Sequence, residues 1–276
     1  MTLKMNDELN WQDFDREIYK PDAEIDLGKA ALSYAKVEDP NLDIDKYLNI
    51  LDEMSLAVRE RLPAESYPLK IIQSIDKYLF EELNFQGNTR DYYNPDNSFL
   101  NKVIENKTGI PITLAVVYLE IAKRIDFPMV GIGMPGHFLI RPDFQDAEIF
   151  VDVFNQGEIL FKQDCQEIIN RVYQQPVPLQ AKFFDAIDNR QILARMLTNL
   201  KYIYLNDGRF QKAIDYISGI LLLFPDNPYE LRDRGLLYYE LNRWQQAAQD
   251  LKSYLAILPN AQDTTTIEII LKKIDR

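Results

Sequence analysis

The last third of the chain repeats itself at a shift of 34 residues, pairing Tyr204 with Tyr238, Arg209 with Arg243, Phe210 with Trp244, Ala213 with Ala247 and Pro225 with Pro259. A repeat of this length is one pair of antiparallel helices. The alanine is needed where the two helices approach closely, and the proline closes the second helix because it cannot continue the hydrogen-bond ladder. Asp226-Asn227-Pro228-Tyr229 then opens a second unit, while Tyr254 stands where a small residue is usual. The spacing predicts units over 194–227 and 228–261. Two such units cannot bury a stacked core alone. A capping helix is therefore expected over 264–273, and residues 180–193 are expected to dock the inner end on what precedes.

The repeat residues resemble the tetratricopeptide motif, which makes 181–276 an all-α repeat region. Upstream the periods differ. Ala23 to Lys36 carries a helical stripe of apolar residues, Asp43 is placed to cap a helix stopped by Pro63, and Pro68 opens another. A turn-rich stretch follows, from Gln86 to Ser98. Ile112 to Ile125 is apolar on nearly all sides, which predicts a buried helix. Beyond Phe127-Pro128 the pattern becomes strand-like over 129–134, 138–141, 148–153 and 158–161, with Asn155-Gln156-Gly157 as a hairpin turn. Four of the ten glycines, Gly131, Gly133, Gly136 and Gly157, fall in this span and mark turns or close backbone approach.

The only histidine, His137, and Asp152 are both flanked by apolar residues that read as strands. A histidine and an aspartate on adjacent strands form two-thirds of a thiol-protease or transglutaminase triad, whose cysteine belongs upstream at a helix N-terminus. Upstream this chain has no cysteine.

The runs Asn97-Ser98-Phe99-Leu100-Asn101, Gly109-Ile110-Pro111-Ile112-Thr113-Leu114, Pro135-Gly136-His137-Phe138-Leu139 and Val151-Asp152-Val153-Phe154 resemble the SirB family, over about residues 10 to 262. This bacterial group joins a transglutaminase-like core to C-terminal tetratricopeptide repeats, and it supplies no well-defined activity to carry over. The resemblance implies an α+β fold. A papain/transglutaminase-like domain spans 1–180, with a helical N-terminal portion (about 10–95) and a core (about 96–180) holding a small antiparallel sheet. The repeat region follows. In that register Pro111 occupies the cysteine slot, which looks typical of the group. Proline suits a first helical turn but has neither a nucleophile nor an N–H for an oxyanion.

Each candidate has a functional and a structural reading. His137 is a retained acid–base or ligand-contacting group, or it supports the sheet through a bond to Asp152, its orienter; a buried aspartate must find a partner. Cys165, read as opening a helix to Tyr173, could form a thiolate that rebuilds a triad with His137, or it packs as a small apolar residue. Thr108 and Thr113 put hydroxyls beside the Pro111 slot. Asn97, Ser98 and Asn101 cap a helix and pin the long loop, or line a cleft with Pro111. Tyr92 and Tyr93 cover that cleft or pack. Arg141 holds an anion or is solvated. Asn199, Tyr202, Arg232 and Tyr239 fall at repeat positions that line a peptide groove.

Composition narrows the function classes. A formal charge of −12 spread along the chain argues against nucleic acid or an anionic membrane as partner. One cysteine and one histidine are too few for a zinc site. No phosphate loop or dinucleotide fingerprint is present, so no cofactor is expected. One cysteine, no apolar run long enough to span a bilayer and no apolar leader at the start read as a cytoplasmic protein. The expected function is protein or peptide binding by a catalytically silent transglutaminase-like domain whose repeats recruit a partner. The alternative is an active peptidase, amidase or acyltransferase using His137 and Asp152 with water or Cys165.

Overall fold

A computed structural model describes residues 11–64, 67–144 and 148–274. The chain forms two compact units that divide between Met196 and Leu197.

The first unit begins with helix α1 over residues 11–18. Helix α2 (Leu27–Ser33) follows a short turn at Asp22–Glu24. The continuous helix expected from Ala23 to Lys36 is interrupted because Asp26 takes an extended conformation and caps a new start, its carboxylate accepting the Lys29 N–H at 2.8 Å. Asp43 caps α3 (Ile44–Arg61) in the same way, and Tyr47, Leu51, Met54 and Val58 form its buried stripe. Helix α4 (Pro68–Asp76) starts on its proline and runs into a π-helical turn, Lys77–Glu82.

Two short parallel strands, β1 (Gln86–Gly87) and β2 (Thr108–Gly109), bracket helix α5 (Leu100–Asn106). Helix α6 (Pro111–Arg124) then runs through the centre of the unit. It is buried at every position from Pro111 to Ala122, as its all-round apolar sequence requires. Against it lies a five-stranded antiparallel sheet formed by β3 (Met129–Ile132), β4 (Leu139–Pro142), β5 (Phe150–Asp152), β6 (Glu158–Leu160) and β7 (Ala186–Ile187), in the order β6-β5-β4-β3-β7. Registers Gly131↔Ile140, Ile140↔Val151 and Val151↔Ile159 alternate apolar residues onto one core. Helix α7 (Lys162–Tyr173) covers one sheet face, with Cys165 and Ile169 buried among Ile132, Met134, Leu139, Phe150 and Leu160. The edge strand β7 is an addition to the expected four-strand reading. The first turns of α8 (Asn189–Asn206) belong to this unit too: Asn189 and Arg190 donate backbone N–H groups to the Asp22 carboxylate. The first compact unit thus runs through Met196.

The second unit holds the rest of α8 with α9 (Phe210–Leu223), α10 (Pro228–Glu240), α11 (Trp244–Ile257) and α12 (Thr264–Ile274). Ala213 and Ala247 are fully buried. Gly235 lets α10 sit against Leu251, which an added Cβ would meet at 2.8 Å. Tyr254, at the position that usually takes a small residue, is buried and hydrogen-bonded to Asp263. The Lys201 ammonium is enclosed between Glu230 (2.7 Å) and Asp233 (2.8 Å), and Arg234 clasps Asp250 through two bonds of 2.7 and 3.0 Å. Among the described residues no helix is long and apolar enough to cross a membrane.

Candidate functional site

His137 is not in a strand. It closes a tight turn, Met134-Pro135-Gly136-His137, in which its N–H donates to the Met134 carbonyl at 3.1 Å and Gly136 takes φ +69°. Proline followed by a positive-φ glycine is what a type II turn demands. An added Cβ at Gly136 would also come within 2.7 Å of Val172 on α7. The turn leads into β4, so the imidazole projects from the sheet's end.

Asp152 is the last residue of β5 and is 1% exposed. Its Oδ2 lies 2.7 Å from His137 Nε2 and accepts from Asn155 Nδ2 at 2.8 Å. Its Oδ1 accepts the backbone N–H groups of Phe154 (3.1 Å) and Asn155 (3.3 Å). Burial pushes this carboxyl's pKa up, but the hydrogen bond and charge of His137, with the Asn155 donors, outweigh burial and hold it below the ordinary value. With Nε2 engaged, the imidazole keeps Nδ1, which has no hydrogen-bond partner among the described residues; the side chain is 14% exposed.

The start of α6 is fixed by Thr113. Its hydroxyl accepts the Ile110 N–H (3.2 Å) and donates to the Asn97 carbonyl (2.7 Å). Gly109 is required there, since a Cβ would lie 2.9 Å from Thr113 Oγ1. Pro111 takes the first position of α6 and is buried. The segment Val153–Asn155 packs on α6, and the Phe154 ring covers Gly87 of β1. The Asp152 turn and the two-stranded ribbon beside Pro111 are thereby joined.

The remaining candidates separate. Asn97 is buried and pins the long loop through the Asn88 side chain and the Asp91 and Tyr92 carbonyls. Tyr93 is 71% exposed and meets Tyr92 edge-on, and Tyr92 in turn meets Phe154. Asn101 is enclosed in the helical layer beside Tyr47, its Oδ1 without a partner, and so lines no opening. Arg141 donates to the adjacent Pro142 carbonyl. Cys165 does not begin its helix, which starts at Lys162, and it is fully buried. Burial, with the nearby Asp164 and Asp152 charges, pushes the thiol up to about 11, the opposite of an activated thiolate. In the repeat unit Tyr202 is exposed, Asn199 is half-buried, Arg232 pairs with Asp233 and Asp263, and Tyr239 packs edge-on against Trp244.

Two neighbours went unread in the sequence. Arg195, on α8, donates from Nη2 to the carbonyls of His137 (2.7 Å) and Met134 (3.2 Å), clamping the turn. Its signal was a lone cation inside the apolar run Ile192-Leu193-Ala194-Arg195-Met196-Leu197. Asp76, at the end of α4, accepts from the Tyr118 hydroxyl at 3.0 Å and lies where a Cβ on Gly157 would be; burial raises its pKa to about 8. No cluster of metal-ligating side chains occurs among the described residues.

Residues 45–198 match the family model described as "Transglutaminase-like superfamily", and residues 200–272 match a tetratricopeptide repeat model. A "UPF0162 protein" of Xylella fastidiosa (strain 9a5c) is 35% identical over 250 residues, covering 89% of each chain. A "UPF0162 protein" of Vibrio cholerae is 27% identical, covering 86% of this chain and 87% of its own. The human "F-box only protein 21" is 25% identical over 82% of this chain but only 38% of its own length. No solved structure matches the chain.

Proposed function

Because the chain belongs to the transglutaminase-like superfamily, and within it to the UPF0162 family with its C-terminal tetratricopeptide repeats, yet begins the central helix with Pro111, we propose that it is a binding module rather than an acyl-transfer enzyme. The cleft around His137, Asp152 and Pro111 takes an extended peptide segment, and the repeats recruit a protein partner. The observation that carries this reading is Pro111 at the first position of α6. Acyl transfer on this fold needs a nucleophile and an oxyanion donor at that helix start, and proline supplies neither. The single cysteine is no substitute, being buried with a raised pKa.

A second reading has one observation in its favour: among the described residues His137 Nδ1 is left without a partner while Asp152 orients the ring. An imidazole so held is equipped to activate water, giving a hydrolase without a covalent intermediate.

One experiment separates the two. Peptides selected from a displayed library on the full chain are measured for binding and for cleavage, with wild type and His137→Ala. The binding reading expects saturable capture, weakened by Tyr93→Ala, with the peptide recovered intact. Cleavage that His137→Ala abolishes in folded protein replaces it with the hydrolase reading.

A further inference from the structure

Helix α7 ends at Tyr173, and Gln174, at φ 53°, turns the chain back along it. Residues 174–185 then form a strap with no helix or strand beyond the short turn Ala181–Phe184, before β7 pairs with β3. One residue of the strap is held by α7 through both of its main-chain groups. The Val177 N–H donates to Asn170 Oδ1 at 3.0 Å, and the Val177 carbonyl accepts from Gln166 Nε2 at 2.7 Å. Gln166 and Asn170 stand one helical turn apart and are joined by a further bond of 2.9 Å, which orients both carboxamides. Pro176 and Pro178 flank Val177. They carry no N–H that would have to be satisfied against a helix, and they bias the backbone to an extended form. Val177, Leu179, Phe183 and Phe184 pack on the apolar cluster between α7 and the sheet, with the Phe184 ring 5.1 Å from that of Phe150. All four stay partly exposed, whereas Phe150 and Ile169 of the cluster are 1% and 0% exposed.

We propose that α7 and this cluster form a peptide-binding face, and that the strap is the ligand the chain supplies to it. Contacts to a main-chain N–H and C=O are indifferent to the bound side chain, so the face takes an extended segment of matching apolar pattern. The prolines narrow the class to an aliphatic residue between two prolines, followed by further apolar residues. The occupant is such a segment on a partner protein, which displaces the strap. Side-chain hydrogen bonds of this kind contribute little net stability, and the partly exposed anchors leave apolar surface for a partner to cover. Exchange of straps between two copies would replace each contact by an identical one while losing translational freedom, so a second copy gains nothing. This face does not depend on the peptide reading of the His137 cleft.

The probe is a peptide copying residues 174–185, with blocked ends, a fluorescein label and Lys182→Arg to mark its mass. Its anisotropy is followed on titration with the full chain. A strap that fills the face competes with the probe, so Val177→Asp in the chain should tighten probe binding about tenfold or more. Adding Gln166→Ala and Asn170→Ala to that chain should weaken it again by about tenfold. Pro176→Gly with Pro178→Gly in the probe should weaken it severalfold, because the free peptide is then less extended. Where Val177→Asp fails to fold, hydrogen exchange of the wild-type chain decides: excess probe should speed exchange of the 174–185 amides and leave α6 unchanged. No saturable binding to the folded Val177→Asp chain, affinity no higher than for wild type, indifference to Gln166 and Asn170 or to the prolines, or strap exchange unmoved by the probe would overturn the proposal. So would a wild-type dimer in sedimentation that Val177→Asp abolishes, which makes a second copy the occupant.

Discussion

Asp152 divides one carboxylate oxygen between two donors: Oδ2 lies 2.7 Å from His137 Nε2 and 2.8 Å from Asn155 Nδ2. The histidine turn and the hairpin after β5 are thereby tied at a single buried atom. Because these contacts hold the folded-state pKa below its unfolded value, the stability they add is present above the unfolded carboxylate pKa and lost as pH falls through the folded one. Asp152→Asn should cost about 1–3 kcal/mol at neutral pH. Urea denaturation at neutral pH and near pH 3 checks it, and the gap between variant and wild type should narrow on acidification.

Asp76 should give the opposite slope. Its half-buried carboxyl packs against Gly157 and Tyr118, with a pKa raised to about 8. A carboxyl whose folded pKa is raised favours the native state while protonated, and that contribution is lost as pH climbs from the unfolded value through about 8. Asp76→Asn keeps an acceptor for the Tyr118 hydroxyl and removes the titration. Relative to wild type it should gain about 1 kcal/mol or more between pH 5 and pH 9, read from urea midpoints; parallel profiles for the two proteins would contradict this.

Cys165 should behave as an interior residue. With its thiol fully buried and its pKa about 11, iodoacetamide should label the native chain far more slowly than the urea-unfolded chain at pH 8. His137→Ala should leave the native rate unchanged. A fast native rate near pH 6 that depends on His137 would restore the thiol as a nucleophile.

In the repeat unit, Lys201→Met should be strongly destabilising, by about 3–5 kcal/mol, because Glu230 and Asp233 lose their shared cation. Adding Glu230→Gln and Asp233→Asn should recover much of that loss. Thermal unfolding of the single and triple variants measures both.

What the sequence made legible followed from periodicity. The 34-residue shift placed α9, α10 and α11, the all-round apolar run placed α6, and alternation placed strands β3 to β6 closely enough to bring His137 beside Asp152. What it concealed depends on contacts between distant residues. Strand β7 is two residues long and exists only because Gly131 and Ile132 offer an edge. The break at Asp26 is one side chain capturing one N–H. His137 reads as strand by its neighbours, yet Pro135-Gly136 turn the chain before β4 begins. Asn101, chosen for its polarity, faces Tyr47 inside the helical layer. Arg195 is separated from the turn it clamps by 58 residues of sequence, and nothing local announces the pairing.

The edge strand β7 also sets where this chain can be cut. Ending it at residue 180 would strip Ala186 and Ile187 from β3, baring the backbone donors and acceptors of a central strand. The same cut would remove the guanidinium that braces the histidine turn. A fragment of the core alone must therefore run at least through Met196, borrowing the opening turns of α8.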